Sequence, residues 1–270
     1  MRRSCIRLEE VTATIEGVSI LKEITLEVPE GMTTVIMGLS GSGKSTLLKV
    51  MNGLKEIEKG RIIFGEEDIT RLSHERLLSM RRQTAFVFQD AALWANMSLL
   101  QNLTLPVLQR DPSADRQALL RRIERMCEEF LFDDDLSLRP SQISLGERKI
   151  ASFMRALLVE PRVLFLDEPT SSVDPAVCER MIQRLRKEKG KGVSIIAATN
   201  DPRVCANLAD EVIILKEGRL VETGSLSEVI RSTNPETIEA LSDVLSQAAS
   251  YDMDILSLLD GEDVWQGGSP

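Results

Sequence analysis

The sequence predicts an α/β fold: a buried, mostly parallel sheet with helices between its strands and a helical subdomain inserted at about residues 90–158. Three observations carry this. The apolar runs VLFL (163–166), SIIAAT (194–199) and EVIILK (211–216) read as strands buried on both faces. Helical spacing fills an interval between them, over residues 175–189. Residues 115–131 place Leu119, Ile123, Met126 and Phe130 about one helical turn apart, inside a stretch without strand character.

Residues 5–37 read as extended segments. VTATIEG, ITLEV and TTVIM are rich in β-branched residues and are broken by Gly17, Pro29 and Gly31. A glycine-rich loop, Gly38 to Gly43, follows TTVIM. KSTLLKVMNGL then has helical spacing at Leu47, Leu48 and Met51, with Gly53 as a stop. Residues 61–64 and 84–88 read as further strands. Near the end, Asn234 is placed to cap a helix and Pro235 suits its first position. Ile238, Leu241, Val244, Leu245 and Ala248 form its apolar stripe.

Composition bounds the function. With 270 residues, 43% hydrophobic and 28% charged, the chain suits one large globular domain, or one with an appendage. No apolar run approaches the roughly 20 residues that span a bilayer. The start MRRSCIRLEE has no apolar h-region, so the chain is expected in the cytosol. Cys5, Cys127, Cys178 and Cys205 form no CxxC, which argues against a zinc site or a disulfide framework. A single histidine, His74, argues against a His-based metal site or a Ser-His-Asp triad. A net charge of −9 makes nucleic acid an unexpected partner. The acid excess is concentrated in the tail, which has no Lys or Arg after Arg231.

Gly38-Leu39-Ser40-Gly41-Ser42-Gly43-Lys44-Ser45, followed by Thr46, fits G-x-x-x-x-G-K-[ST]. Glycines let backbone N–H groups wrap a phosphate, and the following helix points its positive end at the same anion. Lys44 is placed to reach the outer phosphates and the Ser45 hydroxyl to ligate Mg²⁺. The strand VLFL ends in Asp167-Glu168, at the sheet end where ligands bind in open α/β folds. Asp167 is expected to hold Mg²⁺ through water, and Glu168 to orient and deprotonate the attacking water. Gln89, after TAFVF, can ligate Mg²⁺ and hydrogen-bond that water.

Ile143-Ser144-Leu145-Gly146-Glu147 completes a series. The order of phosphate loop, Gln89, ISLGE, Asp167-Glu168-Pro169-Thr170 and Ser171-Ser172-Val173-Asp174 resembles the ABC transporter ATPase family over about residues 5–225. ISLGE resembles the family signature LSGGQ, and SSVD its D-loop. The resemblance implies a P-loop NTPase (RecA-like) core with an antiparallel β-subdomain and the inserted helical subdomain, ATP and Mg²⁺ as cofactors, and ATP hydrolysis coupled to transport. It implies closure of two copies head to tail, with Ser144, Gly146 and Glu147 near the γ-phosphate of the ATP held opposite. The domain organisation that follows is 1–225 for the nucleotide-binding domain and 226–270 for an acidic, partly helical extension.

Three departures from the family pattern bear on chemistry. Asn200 stands where the family has its switch histidine, and can donate an amide hydrogen bond but cannot become a cation. Leu145 replaces the first signature glycine and Glu147 its glutamine, adding bulk and negative charge beside a phosphate. The aromatic residue that stacks on adenine falls near Ile15, which offers only an apolar contact, so GTP is expected to compete with ATP. A poorly hydrolysing regulatory or structural subunit therefore stands as the alternative to a working motor.

The stretch FQDAALWANMSLLQNLTLPVL resembles the ATPases of Mla/Mce-type lipid transport systems. In the family this region receives a membrane permease, and Leu93, Trp94 and Met97 suit such a groove. The resemblance thus places the chain on the cytoplasmic face of the inner membrane, peripheral through its permease. Tyr251, Met253, Ile255, Leu256, Leu258, Leu259 and Trp265 make the tail too apolar for a spacer. It is expected to stabilise a homodimer or to meet a small regulatory partner.

Overall fold

A computed structural model describes residues 3–250, and for His74 and residues 243–250 the backbone alone. The chain opens with a long hairpin, β1 (Ser4–Ile15) and β2 (Val18–Pro29), whose turn places Gly17 at φ 80°. There follow β3 (Thr33–Met37), α1 (Lys44–Met51), β4 (Lys59–Phe64), β5 (Glu67–Asp68), α2 (His74–Arg81) and β6 (Thr84–Val87). Three longer helices come next: α3 (Leu99–Arg110), α4 (Arg116–Glu129) and α5 (Leu145–Leu158). The chain then runs through β7 (Val163–Asp167), α6 (Pro175–Gly190), β8 (Ser194–Ala198), α7 (Pro202–Leu208), β9 (Glu211–Lys216), β10 (Arg219–Gly224), α8 (Leu226–Ile230) and α9 (Pro235–Ser250).

The strands form two sheets. One is antiparallel, in the order β2-β1-β4-β5. The other runs β10-β9-β3-β8-β7-β6 and is parallel except for the edge strand β10. β6 and β7 are neighbours in space, yet the connection between them holds α3, α4 and α5. This is the expected helical insertion. It starts later than its sequence limit, because residues 91–98 form an irregular loop before α3.

Strand alternation sorts the core. On β7, Phe165 packs with Leu47, Leu48 and Met51 of α1 in the layer between the sheets. Leu164 and Leu166 face the other way, against Phe153, Met154 and Leu157 of α5. Both faces of the strand are therefore buried, which explains the continuous apolar run. A smaller cluster joins Val35, Met37, Val212 and Ile214 to Val229, Ala240 and Leu241. Burial at about 1.5–3 kcal/mol for each large side chain makes these layers a major stabilising contribution beneath the loops. No helix among the described residues is long and apolar enough to cross a membrane.

The extension is helical over α9, as the capping Asn234, Pro235 and apolar spacing predict. The start of α9 lies on its own chain: Ala240 and Leu241 are buried, and the buried Thr237 donates a hydrogen bond to Glu222. Lys216 pairs with Glu236 and Glu239 at 3.4 and 2.7 Å. These contacts seat the start of α9 on β9 and β10 of its own chain. The remaining apolar residues of the tail, Tyr251 to Trp265, lie outside the described residues.

Candidate active site

The parallel strands deliver the site at one edge of the sheet. β3, β7 and β8 end level with one another, Ile36 opposite Ala198 and Asp167 opposite Ala198. The segments leaving them, 38–43, 168–174 and 199–201, therefore meet, with Gln89 two residues beyond β6. This is the carboxyl edge of an open α/β sheet, where ligands bind.

The loop after β3 depends on glycine. A Cβ on Gly38 would stand 2.1 Å from the Leu215 carbonyl oxygen, and Gly43 takes φ 104° immediately before α1. Gly43 brings no side chain to the helix cap, and the first N–H groups of α1 remain available to an anion. Lys44 Nζ donates to the carbonyls of Gly38 and Leu39 at 2.6 and 3.1 Å. Among the described residues the buried Ser42 hydroxyl has no hydrogen-bond partner.

Two acids close the site from β7. Ser45 Oγ donates to Asp167 Oδ1 at 2.7 Å, and Asp167 is 1% exposed. Burial pushes the Asp167 carboxyl up, against the Ser45 hydrogen bond and the charges of Lys49, Lys149 and Lys44. Glu168 adopts φ 46°, in the left-handed region that non-glycine residues seldom occupy. Its N–H donates to the Ala198 carbonyl at 2.9 Å, and its Oε2 accepts from Thr199 Oγ1 at 3.1 Å. Burial raises the Glu168 carboxyl, with Thr199 and Lys44 pulling the other way. A carboxylate raised in this manner is a stronger base at neutral pH.

Ile15, Ile20, Ser40 to Thr46, Gln89, Glu168 and Asn200 line a cavity of about 420 Å³. Gly38 and Leu39 form the base of its loop, and Asp167 lies beside it through Ser45. Ile15, on the β1–β2 hairpin, supplies an aliphatic wall. Among the described residues no three or more His, Cys, Asp or Glu side chains gather around a metal. The hard oxygens of Ser45 and Asp167, with Gln89 close by, still suit Mg²⁺, which takes few protein ligands beside phosphate and water. Loop, cationic side chain, orphaned hydroxyl and oxygen pair together fit a Mg²⁺–nucleoside triphosphate.

Ser144, Gly146 and Glu147 do not line that cavity. They form the N-terminus of α5. Ser144 Oγ accepts from the Glu147 N–H at 3.2 Å, and the Glu147 carboxylate accepts from the Ser144 N–H at 2.6 Å. This is a reciprocal capping box, and it explains an acid at this position. Hydrogen bonding with the Ser144 side chain, and then with its backbone N–H, holds the Glu147 carboxyl below its usual range. Leu145, 41% exposed, lines an adjoining cavity of about 680 Å³ with Ser45, Lys49, Gln89 and Asp167. A Cβ on Gly146 would stand 2.5 Å from the Ser172 carbonyl oxygen, so α5 approaches the 168–174 turn closely.

Asn200 is engaged with the phosphate loop. Its Nδ2 donates to the Gly38 carbonyl at 3.0 Å, and its Oδ1 accepts from the Gly38 N–H at 3.3 Å. Thr199, which holds Glu168, and Lys149, buried behind it, carry no motif signal and are legible in the sequence only as a strand end and a helix position. At the other face, Leu93 packs on the helical core, while Trp94 is 40% exposed beneath the Arg155 guanidinium at 5.2 Å. Met97 is half-buried.

The family model for the ABC transporter matches residues 21–171, more than half of the chain. The chain belongs to the ABC transporter family. It is 34% identical over 230 residues to the sulfate/thiosulfate import ATP-binding protein CysA 2 of Agrobacterium fabrum, covering 85% of this chain and 66% of that one. It is 32% identical to the methionine import ATP-binding protein MetN of Haemophilus ducreyi, covering 80% and 62%. The chain thus spans about two thirds or less of the length of these relatives. Among solved structures, the dimeric MJ0796, described as a bacterial ABC transporter cassette, superposes with a TM-score of 0.76 at 28% identity, over 82% of this chain and 98% of that one. CbiO1 of Clostridium perfringens, part of the complex cbiONQ, gives a TM-score of 0.70 at 27% identity over 93% and 99%. The likeness gives the ABC ATPase fold: a P-loop core with an antiparallel sheet beside it and helices inserted between β6 and β7.

Proposed function

We propose that this chain binds and hydrolyses Mg²⁺–ATP as the motor subunit of an ABC transporter, two copies closing head to tail around two ATP molecules. The observation that carries the proposal is the cavity in which the loop 40–46, Gln89 and Glu168 converge, with the Ser45–Asp167 hydrogen bond at its side. The loop N–H groups and Lys44 bind the phosphates and stabilise the charge that grows on them during transfer. Mg²⁺, when bound by Ser45, Asp167 and Gln89, would neutralise the phosphate oxygens. Glu168, kept in place by Thr199 and by its own backbone N–H, accepts the proton of the attacking water. Ser144 and Gly146 would cap the nucleotide bound by the other copy, so that ATP favours the closed pair and hydrolysis releases it.

The proposed partner is a membrane permease seated near Leu93, Trp94 and Met97, which would hold the chain at the cytoplasmic face of the inner membrane. For the cargo, relatives named for sulfate/thiosulfate and methionine import favour a small polar nutrient. The lipid alternative rests on residues 88–108 alone, where exposed Trp94 offers an aromatic anchor.

Steady-state hydrolysis of Mg²⁺–ATP by the purified chain and by Glu168→Gln tests the proposal. The expected result is turnover in the first that is lost in the second with ATP still bound. Binding without turnover in the unchanged chain would instead support a quiet regulatory subunit, as Asn200 in place of histidine suggests.

A further inference from the structure

Lys149 is 1% exposed, one turn inside α5, and its ammonium is surrounded by the turn that carries Glu168. Its Nζ donates to the Glu168 carbonyl oxygen and, at 3.0 Å, to Ser171 Oγ. Ser171 Oγ in turn donates to the same carbonyl at 3.0 Å. A buried lysine is tolerated only when its donors and charge are compensated. Here burial draws its pKa down, and the negative charges of Glu168, Asp167 and Asp90 oppose that.

Three further facts give this contact a direction. Glu168 and Ser172 hold φ values of 46° and 64°. Such conformations persist in non-glycine residues when neighbours over-determine them. Gly146, three residues before Lys149 and so on the same side of α5, abuts the Ser172 carbonyl, where a Cβ would stand 2.5 Å away. The first turn of α5, through Gly146, and Lys149 just beyond it therefore contact both ends of the 168–172 turn. That same first turn carries Ser144 and Gly146.

We infer that Lys149 is a positioning residue: it fixes the backbone of Glu168 and Ser171 to α5, so that a phosphate seated on the start of α5 aligns the Glu168 of the same chain. The inference rests on the proposed closure of two copies for its second half. Its first half concerns this chain alone. The nucleotide capped by one copy then sets the base that acts on the nucleotide bound in that copy's own loop, which couples the two sites.

The experiment uses the full chain with Lys149→Met, Lys149→Arg and Ser171→Ala, and three readouts: hydrogen exchange of peptides spanning 168–173, binding of a fluorescent ATP analogue, and the kcat and KM of hydrolysis. Lys149→Met is expected to accelerate exchange in 168–173 and to lower kcat by about tenfold or more, as a displaced base does. Nucleotide affinity and exchange in the 38–46 loop stay within about twofold of the unchanged chain, because binding does not use Lys149. Lys149→Arg restores both properties, and Ser171→Ala gives a smaller effect of the same kind. Unaltered exchange in 168–173 overturns the inference whatever turnover does. Loss of affinity and general loss of protection, unrelieved by arginine, overturns it in favour of a purely structural lysine. If Lys149→Met fails to fold, the Ser171→Ala and Lys149→Arg pair decides by the same exchange readout. Absence of turnover in the unchanged chain would fell the proposed function, while exchange would still decide the role of Lys149.

Discussion

Asn200 and Gly38 face each other through a pair of opposed hydrogen bonds, amide nitrogen to carbonyl at 3.0 Å and backbone N–H to amide oxygen at 3.3 Å. Asn200 thus secures the first residue of the loop after β3. Asn200→Ala removes both bonds. Each such bond contributes about 0.5–1.5 kcal/mol, so binding of a fluorescent ATP analogue should weaken by about five- to tenfold or more. Unchanged affinity would show that the loop holds its shape without Asn200.

Gly146 is required for space, not for backbone conformation, since a Cβ there would meet the Ser172 carbonyl oxygen at 2.5 Å. Gly146→Ala should therefore cost about 1–3 kcal/mol, the usual penalty of overpacking. Urea unfolding measures the loss, and hydrolysis should fall with it because the crowded turn carries Glu168. A variant of unchanged stability and activity would contradict the close approach of α5.

Ile15 presents an aliphatic side chain to the cavity, at the wall proposed to receive the nucleotide base. Ile15→Tyr should tighten ATP binding by about two- to tenfold, the range given by aromatic stacking beyond simple burial. In the unchanged chain GTP should compete with ATP at comparable concentrations. Strict ATP preference would contradict the account of this wall.

Asp201 lies in a buried network. Burial pushes its carboxyl up, but hydrogen bonds from Arg203 and Thr170 and the Arg203 charge outweigh that and hold it below the usual carboxylate range. A group depressed in the folded state adds stability above its unfolded pKa, and the contribution is lost as pH falls through the folded value. Stability should therefore decline below about pH 4. Asp201→Asn should lower the urea midpoint at pH 7 and converge with the unchanged chain as pH falls through the folded Asp201 pKa. A constant difference across that range would contradict the assignment.

Much of this fold is legible in the sequence because its strands are unambiguous. VLFL, SIIAA and EVIILK are buried on both faces and lie next to turn signals, and glycine spacing marks the loop after β3. The edge strand β10 is not legible, since RLVETG alternates weakly and finds its pairing only beside β9. The loop 91–98 is equally hidden: Asn102 holds it from within α3 by bonds to Trp94, Met97 and Ser98, which no local pattern announces. At the site, the residues with backbone-bound chemistry are readable as motifs. Glu147 reads as a charge beside phosphate; within the chain it also accepts from the Ser144 N–H three residues earlier. Thr199 and Lys149 act through tertiary contacts with Glu168, so their roles exist only once β7, β8 and α5 are assembled.

Sedimentation of Glu168→Gln with and without Mg²⁺–ATP tests most directly whether ATP holds two copies of this chain together and Glu168 lets them part. The expected result is a dimer with ATP and a monomer without it. A monomer under both conditions, with ATP demonstrably bound, would contradict the proposed closure.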